Sequence, residues 1–305
     1  MKIVITGANS AVGQAILRCG PKQDTTTNIF VAAVRSARAA EQIRPHAGDA
    51  NGVVQISYDD PASLDAAFEG ASAVIHLAGI LVESPGSTYE QANVASTRSV
   101  ADAAKRSGVQ KIVLVSATGA DDTSRNRYYR TKGQAEVLVR ASGLNYTVLR
   151  APLLLGPGTA GGAALARHVS HSQAKLIGGG RNFQQPLYVD DLARAAVAAT
   201  NPSVASNLVL DLVGPVSLPE RELVERAARL LGRQVRIGSI SKFWFSLLLG
   251  IRQLFGKPGF SRDALEVITA DTHLGSQPAA SALGIELTGI EEMIKDSLGQ
   301  NLTHG

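Results

Sequence analysis

Residues 2–18 read Lys-Ile-Val-Ile-Thr-Gly-Ala-Asn-Ser-Ala-Val-Gly-Gln-Ala-Ile-Leu-Arg. Lys2 to Thr6 has the length and apolar content of a short buried strand, and Gln14 to Arg18 carries the apolar spacing of a helix. Between them lies a loop bounded by Gly7 and Gly13. A strand, a glycine loop and a helix in that order leave free N–H groups at the helix start, with the helix dipole behind them, and such a cradle holds a pyrophosphate. Gly7 permits the tight turn and Gly13 the close helix packing, so Gly7, Asn9, Ser10, Ala11, Val12 and Gly13 are the candidate phosphate-binding residues. The middle of the loop is irregular, because the common glycine spacings would place a further glycine at Ser10 or Ala11. Both residues are small, the backbone can still approach a phosphate, and Ser10 adds a hydroxyl. An ordinary strand-to-helix turn is the competing reading.

Working outward, the alternation repeats. Asn28–Val34, Val53–Tyr58, Ala73–Ala78 and Lys111–Ser116 read as near-continuous apolar strands separated by helical segments, one opened by Asp60-Pro61 and a long one running from about Tyr89 to Ser107. Strands of this kind belong to a parallel sheet covered by helices on both faces, a doubly wound α/β fold. Ligands on such sheets bind beyond the carboxyl ends of the strands. Gly7, Arg35, Ser57, Gly79 and Ser116 fall there, with Tyr58, Leu77 and Ala78 beside them. At the end of the second strand an acidic residue would accept a ribose 2′-hydroxyl, whereas arginine accommodates a 2′-phosphate. Arg35 and Arg38 stand in that place, and the only acid between Gly13 and Glu41 is Asp24, in a turn-rich segment before the strand. NADP(H) is therefore expected over NAD(H), with a solvated arginine face as the alternative.

The totals fit a globular protein: of 305 residues 45% are hydrophobic and 18% charged. The net charge of +4 is spread along the chain, which gives no footprint for nucleic acid. A single cysteine, Cys19, excludes an internal disulfide and suits a reducing compartment. The apolar start is too short for a signal peptide and no segment has the length of a membrane span, so a cytoplasmic protein is expected. His76, in an apolar run, reads as a packed histidine. His168 and His171 have helical spacing without companion ligands, so no metal site is expected.

The stretch Asn126–Gly143 is helical in period and ends in a glycine suited to a left-handed helix terminus. Tyr128 and Lys132 lie one turn apart on it. A phenol beside a fixed ammonium suits proton transfer, since the positive charge favours phenolate and lowers the phenol pKa. Chance alone also produces such a pair, and its weight comes from the strand pattern around it.

Taken together, the loop Thr6-Gly-Ala-Asn-Ser-Ala-Val-Gly13, His76-Leu-Ala-Gly79, Val113-Leu-Val-Ser116, Tyr128 with Lys132, Leu149-Arg-Ala-Pro152 and Gly156-Pro-Gly158 resemble an extended short-chain dehydrogenase/reductase over residues 1 to about 200. The segment 178–193 resembles the atypical branch that includes the NADPH-binding accessory subunit of respiratory complex I. The resemblance implies that Gly7 and residues 10–13 line the pyrophosphate and Arg35 meets the 2′-phosphate. It further implies that Lys132 bonds the nicotinamide ribose, Tyr128 exchanges a proton with a substrate carbonyl or alcohol, and Pro152 and Leu153 approach the carboxamide. Two positions depart from the family. No acid stands at the Ser57 position, where the family often has one to contact adenine, and Ala117 stands where a serine or threonine usually holds the reacting oxygen, leaving Thr118 or Ser116 to substitute. Three functions follow: an NADP(H)-dependent oxidoreductase acting on a partly apolar small molecule, a non-catalytic NADPH-binding assembly protein, and a sugar-nucleotide epimerase or dehydratase.

For the second half, the expected organisation is a dinucleotide-binding domain over 1–155 and a substrate lobe over 156–305, with about 180–213 returning to the first domain. Residues 156–164 read as a mobile connection, Asp190–Thr200 as a helix, Leu208–Val213 as a strand, and Ser217 with Glu220 as a capping box. Ile240–Phe255 contains the only Trp, two Phe beside it and three consecutive leucines between basic residues. It reads as a buried lobe helix, or else as a lid, a membrane-surface helix or a protein-binding helix through 243–255.

Overall fold

The computed structural model describes residues 1–19, 28–47, 52–77, 79–254 and 260–301. Asp24, Ala78 and Phe255 lie outside the described residues. The first half alternates strand and helix as its apolar periodicity requires: β1 (Lys2–Thr6), α1 (Ala11–Cys19), β2 (Ile29–Val34), α2 (Ala37–Ala47), β3 (Val53–Gln55), α3 (Pro61–Phe68) and β4 (Ala73–His76). A π-helical turn, Glu90–Ala95, then runs into α4 (Ser96–Arg106), followed by β5 (Lys111–Ala117), α5 (Arg127–Ala141) and β6 (Asn145–Ala151). These strands and Leu208–Asp211 form one seven-stranded sheet in which β4 and β2 flank β1, and Leu208–Asp211 lies outside β6. Every pairing is parallel.

Strand order reverses between β1 and β4, and the crevice at that reversal is where such sheets take ligands. Alternation along β1 sends Ile3 and Ile5 into one core with α1, and Val4 into the other with Leu64, Phe68 and Val100. A sheet buried on both faces explains why its strands read as unbroken apolar runs.

Local chemistry sets the element boundaries. Asp60 accepts from the Ala62 amide at 3.1 Å and caps α3, with Pro61 at its first position. Asn126 accepts from the amides of Tyr128 and Tyr129 at 3.0 and 3.3 Å and caps α5, and Gly143 takes φ +80° beyond its end. The third strand is shorter than its apolar run because the Ser57 amide turns away to the Ser63 hydroxyl at 3.0 Å.

Three readings of the second half are corrected. Residues 156–164 are no mobile connection: Thr159 caps a helix, Ala160–Val169, by accepting from the Gly162 amide at 3.0 Å. Glycine is used there for close approach, since a Cβ on Gly161 would stand 2.3 Å from the Leu154 carbonyl oxygen. Ser217 forms no capping box with Glu220; its hydroxyl donates to the Thr272 carbonyl at 2.6 Å, and the helix Glu220–Leu230 starts after Pro219 without a side-chain cap. Finally, the helix Lys242–Leu254 is not a buried lobe helix, because Phe243 and Trp244 are 68% and 66% exposed. No helix among the described residues is long and apolar enough to cross a membrane.

Candidate functional site

The loop between β1 and α1 has the geometry of an anion cradle. Gly7 turns the chain at φ +74°, a left-handed value that glycine adopts without strain. A Cβ on Gly13 would lie 2.3 Å from the Ala8 carbonyl oxygen, so only glycine lets α1 sit this close to the loop. Ser10 accepts from the Gly13 amide at 3.1 Å. The amides of Ala11 and Val12, in the first turn of α1, have no partner carbonyl within the helix. Ser10 thus fixes the helix start and still has a hydroxyl proton to donate. Asn9 is exposed beside it, and its carbonyl accepts from Gln14 Nε2 at 3.1 Å.

Arg35 follows β2 directly and Arg38 lies in the first turn of α2. Both are exposed, and neither guanidinium makes an ion pair or hydrogen bond among the described residues. Ser57 is exposed at the end of the third strand, while Tyr58 is half-buried with its ring edge-on to His76 at 6.1 Å. Burial raises the Tyr58 phenol pKa against the opposing pull of the Thr6 hydroxyl and Arg35. His76 is fully buried, with Nδ1 2.6 Å from Thr6 Oγ1 and Nε2 unpartnered. Burial, assisted by the Lys132 charge, lowers its pKa to about 3, so the ring is neutral.

Beyond β4, Leu77 is half-buried and its amide extends the ladder to the Thr6 carbonyl at 3.0 Å. A Cβ on Gly79 would lie 3.0 Å from Asn93 Oδ1 and 3.2 Å from Lys132 Nζ. Glycine here brings the backbone against the ammonium that α5 delivers. Lys132 is 7% exposed, and its Nζ donates to the Val115 carbonyl at 2.9 Å. Burial lowers its pKa to about 8, opposed by the carboxylate of Glu136 one turn on. Pro152 and Leu153 are half-buried just after β6.

Tyr128 is half-buried against Tyr89 and Tyr129, with ring centroids 5.8 and 5.7 Å away. Its phenol departs from the expectation that Lys132 makes it more acidic. Burial raises its pKa, and the neighbouring phenols of Tyr129 and Tyr89 push in the same direction. The two hydroxyls near the end of β5 differ sharply. Ser116 Oγ donates to Glu136 Oε1 at 2.6 Å, and Glu136 is further held by Arg150 at 2.7 Å. Thr118 Oγ1 is buried with no partner.

Two residues of this region escaped the sequence reading. Asn93 sits in the π-helical turn, donates to Thr131 Oγ1 at 3.0 Å and accepts from the Ile80 amide at 3.3 Å. It ties the segment after β4 to the residue before Lys132. A π turn leaves no mark in hydrophobic spacing, and an asparagine inside a long helical segment was its one signal. Glu136, 1% exposed, carried a clearer signal as an acid one turn from Lys132 on the buried side of α5.

The donor set fits a dinucleotide: open helix-start amides at the loop, a free arginine pair at the end of β2, and a buried ammonium with an unpartnered hydroxyl beyond β4 and β5. A family model described as NAD(P)H-binding matches residues 7–200. The chain belongs to this family. Its relatives include a ceramide reductase of Caulobacter vibrioides, 24% identical over 77% of this chain and 72% of that protein. A 2-alkyl-3-oxoalkanoate reductase of Stenotrophomonas maltophilia is 28% identical over 97% and 98% of the two chains. The mitochondrial NADH dehydrogenase 1 alpha subcomplex subunit 9 of Arabidopsis thaliana is 32% identical over 58% of this chain, but only 46% of that protein is spanned. Among solved structures, MoeE5 with UDP-glucose and NAD superposes with a TM-score of 0.76 at 19% identity, covering 100% of this chain and 99% of that one. The Citrobacter sp. triphenylmethane reductase with NADP(H) gives 0.72 at 20% identity, covering 97% and 100%. At these identities the structures establish the fold. The family and these relatives place the chain among NAD(P)-dependent oxidoreductases and epimerases, consistent with the resemblance to short-chain dehydrogenase/reductases carried by its sequence motifs.

Proposed function

We propose that this chain is an NADP(H)-dependent oxidoreductase acting on the carbonyl or alcohol of a partly apolar small molecule. The observation that carries the reading is the buried Lys132 ammonium, held to a backbone carbonyl beside Gly79, with the unpartnered Thr118 hydroxyl beyond the neighbouring strand. A bound nicotinamide supplies the hydride equivalent. Gly7, Ser10, Ala11, Val12 and Gly13 hold the pyrophosphate, Arg35 and Arg38 the 2′-phosphate, and Lys132 the ribose. Thr118 orients the substrate oxygen by a hydrogen bond. Tyr128 exchanges the proton at that oxygen; its raised pKa makes it a weak acid that donates only as negative charge develops on its partner. Ser57, Tyr58, Leu77 and Gly79 border the dinucleotide, with Pro152 and Leu153 at its nicotinamide end. Tyr128→Phe is expected to lower turnover at least a hundredfold while leaving NADPH affinity nearly unchanged. Equal turnover in the variant would sink the mechanism.

One observation favours a second reading, in which the chain binds NADPH without turning it over. Ser116 is committed to Glu136, and burial shifts Tyr128 away from the acidity a Tyr-Lys pair should confer. In that case purified protein retains unoxidised cofactor and reduces no member of a broad carbonyl panel. The epimerase reading requires tight NAD binding, which the open Arg35 side chain disfavours against NADP(H).

A further inference from the structure

The helix Lys242–Leu254 carries four large apolar side chains on its solvent side. Phe243, Trp244, Leu247 and Leu248 are 68%, 66%, 39% and 52% exposed, and at 100° per residue they form one continuous outward stripe. Among the described side chains, the inward side holds Leu249, which is buried, and Phe245, which meets Phe260 with ring centroids 6.3 Å apart, and Arg262 Nε donates to the Ser246 carbonyl at 3.2 Å. The helix is thus anchored from behind, and its anchored side already has partners within the fold.

Charge identifies what the outward stripe meets. From Arg233 to Arg262 the sequence contains six basic residues, Arg233, Arg236, Lys242, Arg252, Lys257 and Arg262, and no Asp or Glu. The whole chain has 30 Lys and Arg against 26 Asp and Glu, so this segment departs strongly from the average. Lys242 and Arg236 are exposed. An aromatic and leucine stripe with basic flanks is the composition that settles into an anionic headgroup layer, where Trp and Phe bury their rings and Lys and Arg meet phosphates. A second copy of the chain is a poor occupant, because a two-fold interface would bring this acid-free segment against itself.

We propose that Phe243, Trp244, Leu247 and Leu248 dock the protein on the surface of an anionic lipid bilayer. The docked helix packs on Arg262–Ile268, whose Asp263 and Glu266 hold the Asn126 side chain and the Arg127 amide at 2.9 to 3.2 Å, directly before Tyr128. If the chain is the oxidoreductase argued above, the docked helix and the reacting phenol are linked through Arg262–Ile268, and the substrate class is bilayer-resident lipid carbonyls or alcohols. The docking itself stands independently of that reading.

Trp244 is the only tryptophan, so its emission reports the stripe directly. The full chain, without cofactor, is titrated with vesicles of phosphatidylcholine alone and with roughly one third phosphatidylglycerol. A blue shift and co-sedimentation with the anionic vesicles, both weakened by salt, are expected. In the double variant Leu247→Gln and Leu248→Gln, which retains Trp244, the lipid concentration for half-binding should rise about tenfold or more, with an unchanged far-ultraviolet circular dichroism spectrum. An unshifted emission with protein in the supernatant overturns the proposal, as does equal binding to both vesicle types. A blue shift that grows with protein concentration in the absence of lipid assigns the stripe to a second copy instead.

Discussion

Ser116 donates its hydroxyl proton to Glu136 Oε1 at 2.6 Å in the interior, on a carboxylate that Arg150 also holds through Nε and Nη2. The serine at the end of β5 is therefore part of a buried polar network, whereas two residues on, Thr118 Oγ1 is buried and unpaired. Removing a satisfied group and removing an unsatisfied one have opposite consequences. Ser116→Ala leaves Glu136 one donor short and should destabilise the fold by about 1 to 3 kcal/mol, as for a hydrogen bond to a charged group. Thr118→Val removes a polar atom that has no partner, so it should be neutral or stabilising to urea. Turnover should nevertheless fall by about 100-fold or more, the usual loss when a donor to the reacting oxygen is removed. Paired urea melts and initial rates check both; a Thr118→Val enzyme of normal activity would move the oxygen-binding role away from this hydroxyl.

Arg35 makes no ion pair that its replacement would break among the described residues, and the same holds for Arg38. Substitution of Arg35 therefore reads out cofactor selectivity with little cost to the fold. Arg35→Asp should weaken NADPH by about 10- to 100-fold, through loss of a charge-assisted contact and addition of repulsion, and leave NADH affinity within a few-fold. Fluorescence titration with both cofactors measures it. A wild-type preference for NADH would remove the 2′-phosphate role from both arginines.

Much of the fold was legible because the first half obeys one rule throughout. Strands buried on both faces must be continuously apolar, and the helices between them must carry an apolar stripe, so Lys2–Thr6 and its successors reveal the sheet without any distant contact. The Tyr128 helix was legible from Asn126 and Gly143, which act locally. What stayed hidden depends on partners far along the chain. Ser217 prefers the Thr272 carbonyl to its own helix, and Gly161 serves the Leu154 backbone rather than flexibility. Asn93 and Glu136 belong to networks across three elements, which spacing within one element does not encode. The Tyr-Lys spacing placed both residues on one helix face, but burial among tyrosines, a tertiary property, decides the direction of the phenol pKa.

His76 couples this buried chemistry to pH. Its pKa falls from 6.5 to about 3 because burial and the nearby Lys132 charge disfavour the imidazolium. The unfolded chain exposes the ring to water, where it binds a proton near pH 6.5. Above that pH both states are neutral at this position and it contributes no pH dependence. Between about 6.5 and 3 the unfolded state holds a proton the folded state lacks, so folding stability is lost as pH falls, at up to about 1.4 kcal/mol per unit. From pH 7 to pH 5 the loss due to this group is about 2 kcal/mol. His76→Asn keeps a polar atom near Thr6 Oγ1 and has nothing to protonate. Its urea midpoint should be lower than wild type at pH 7, where a packed ring has been removed, and should close that gap as the buffer is brought to pH 5. Parallel pH profiles for the two proteins would mean that the folded state admits the proton, and that Lys132 and His76 are less closely coupled than their burial implies.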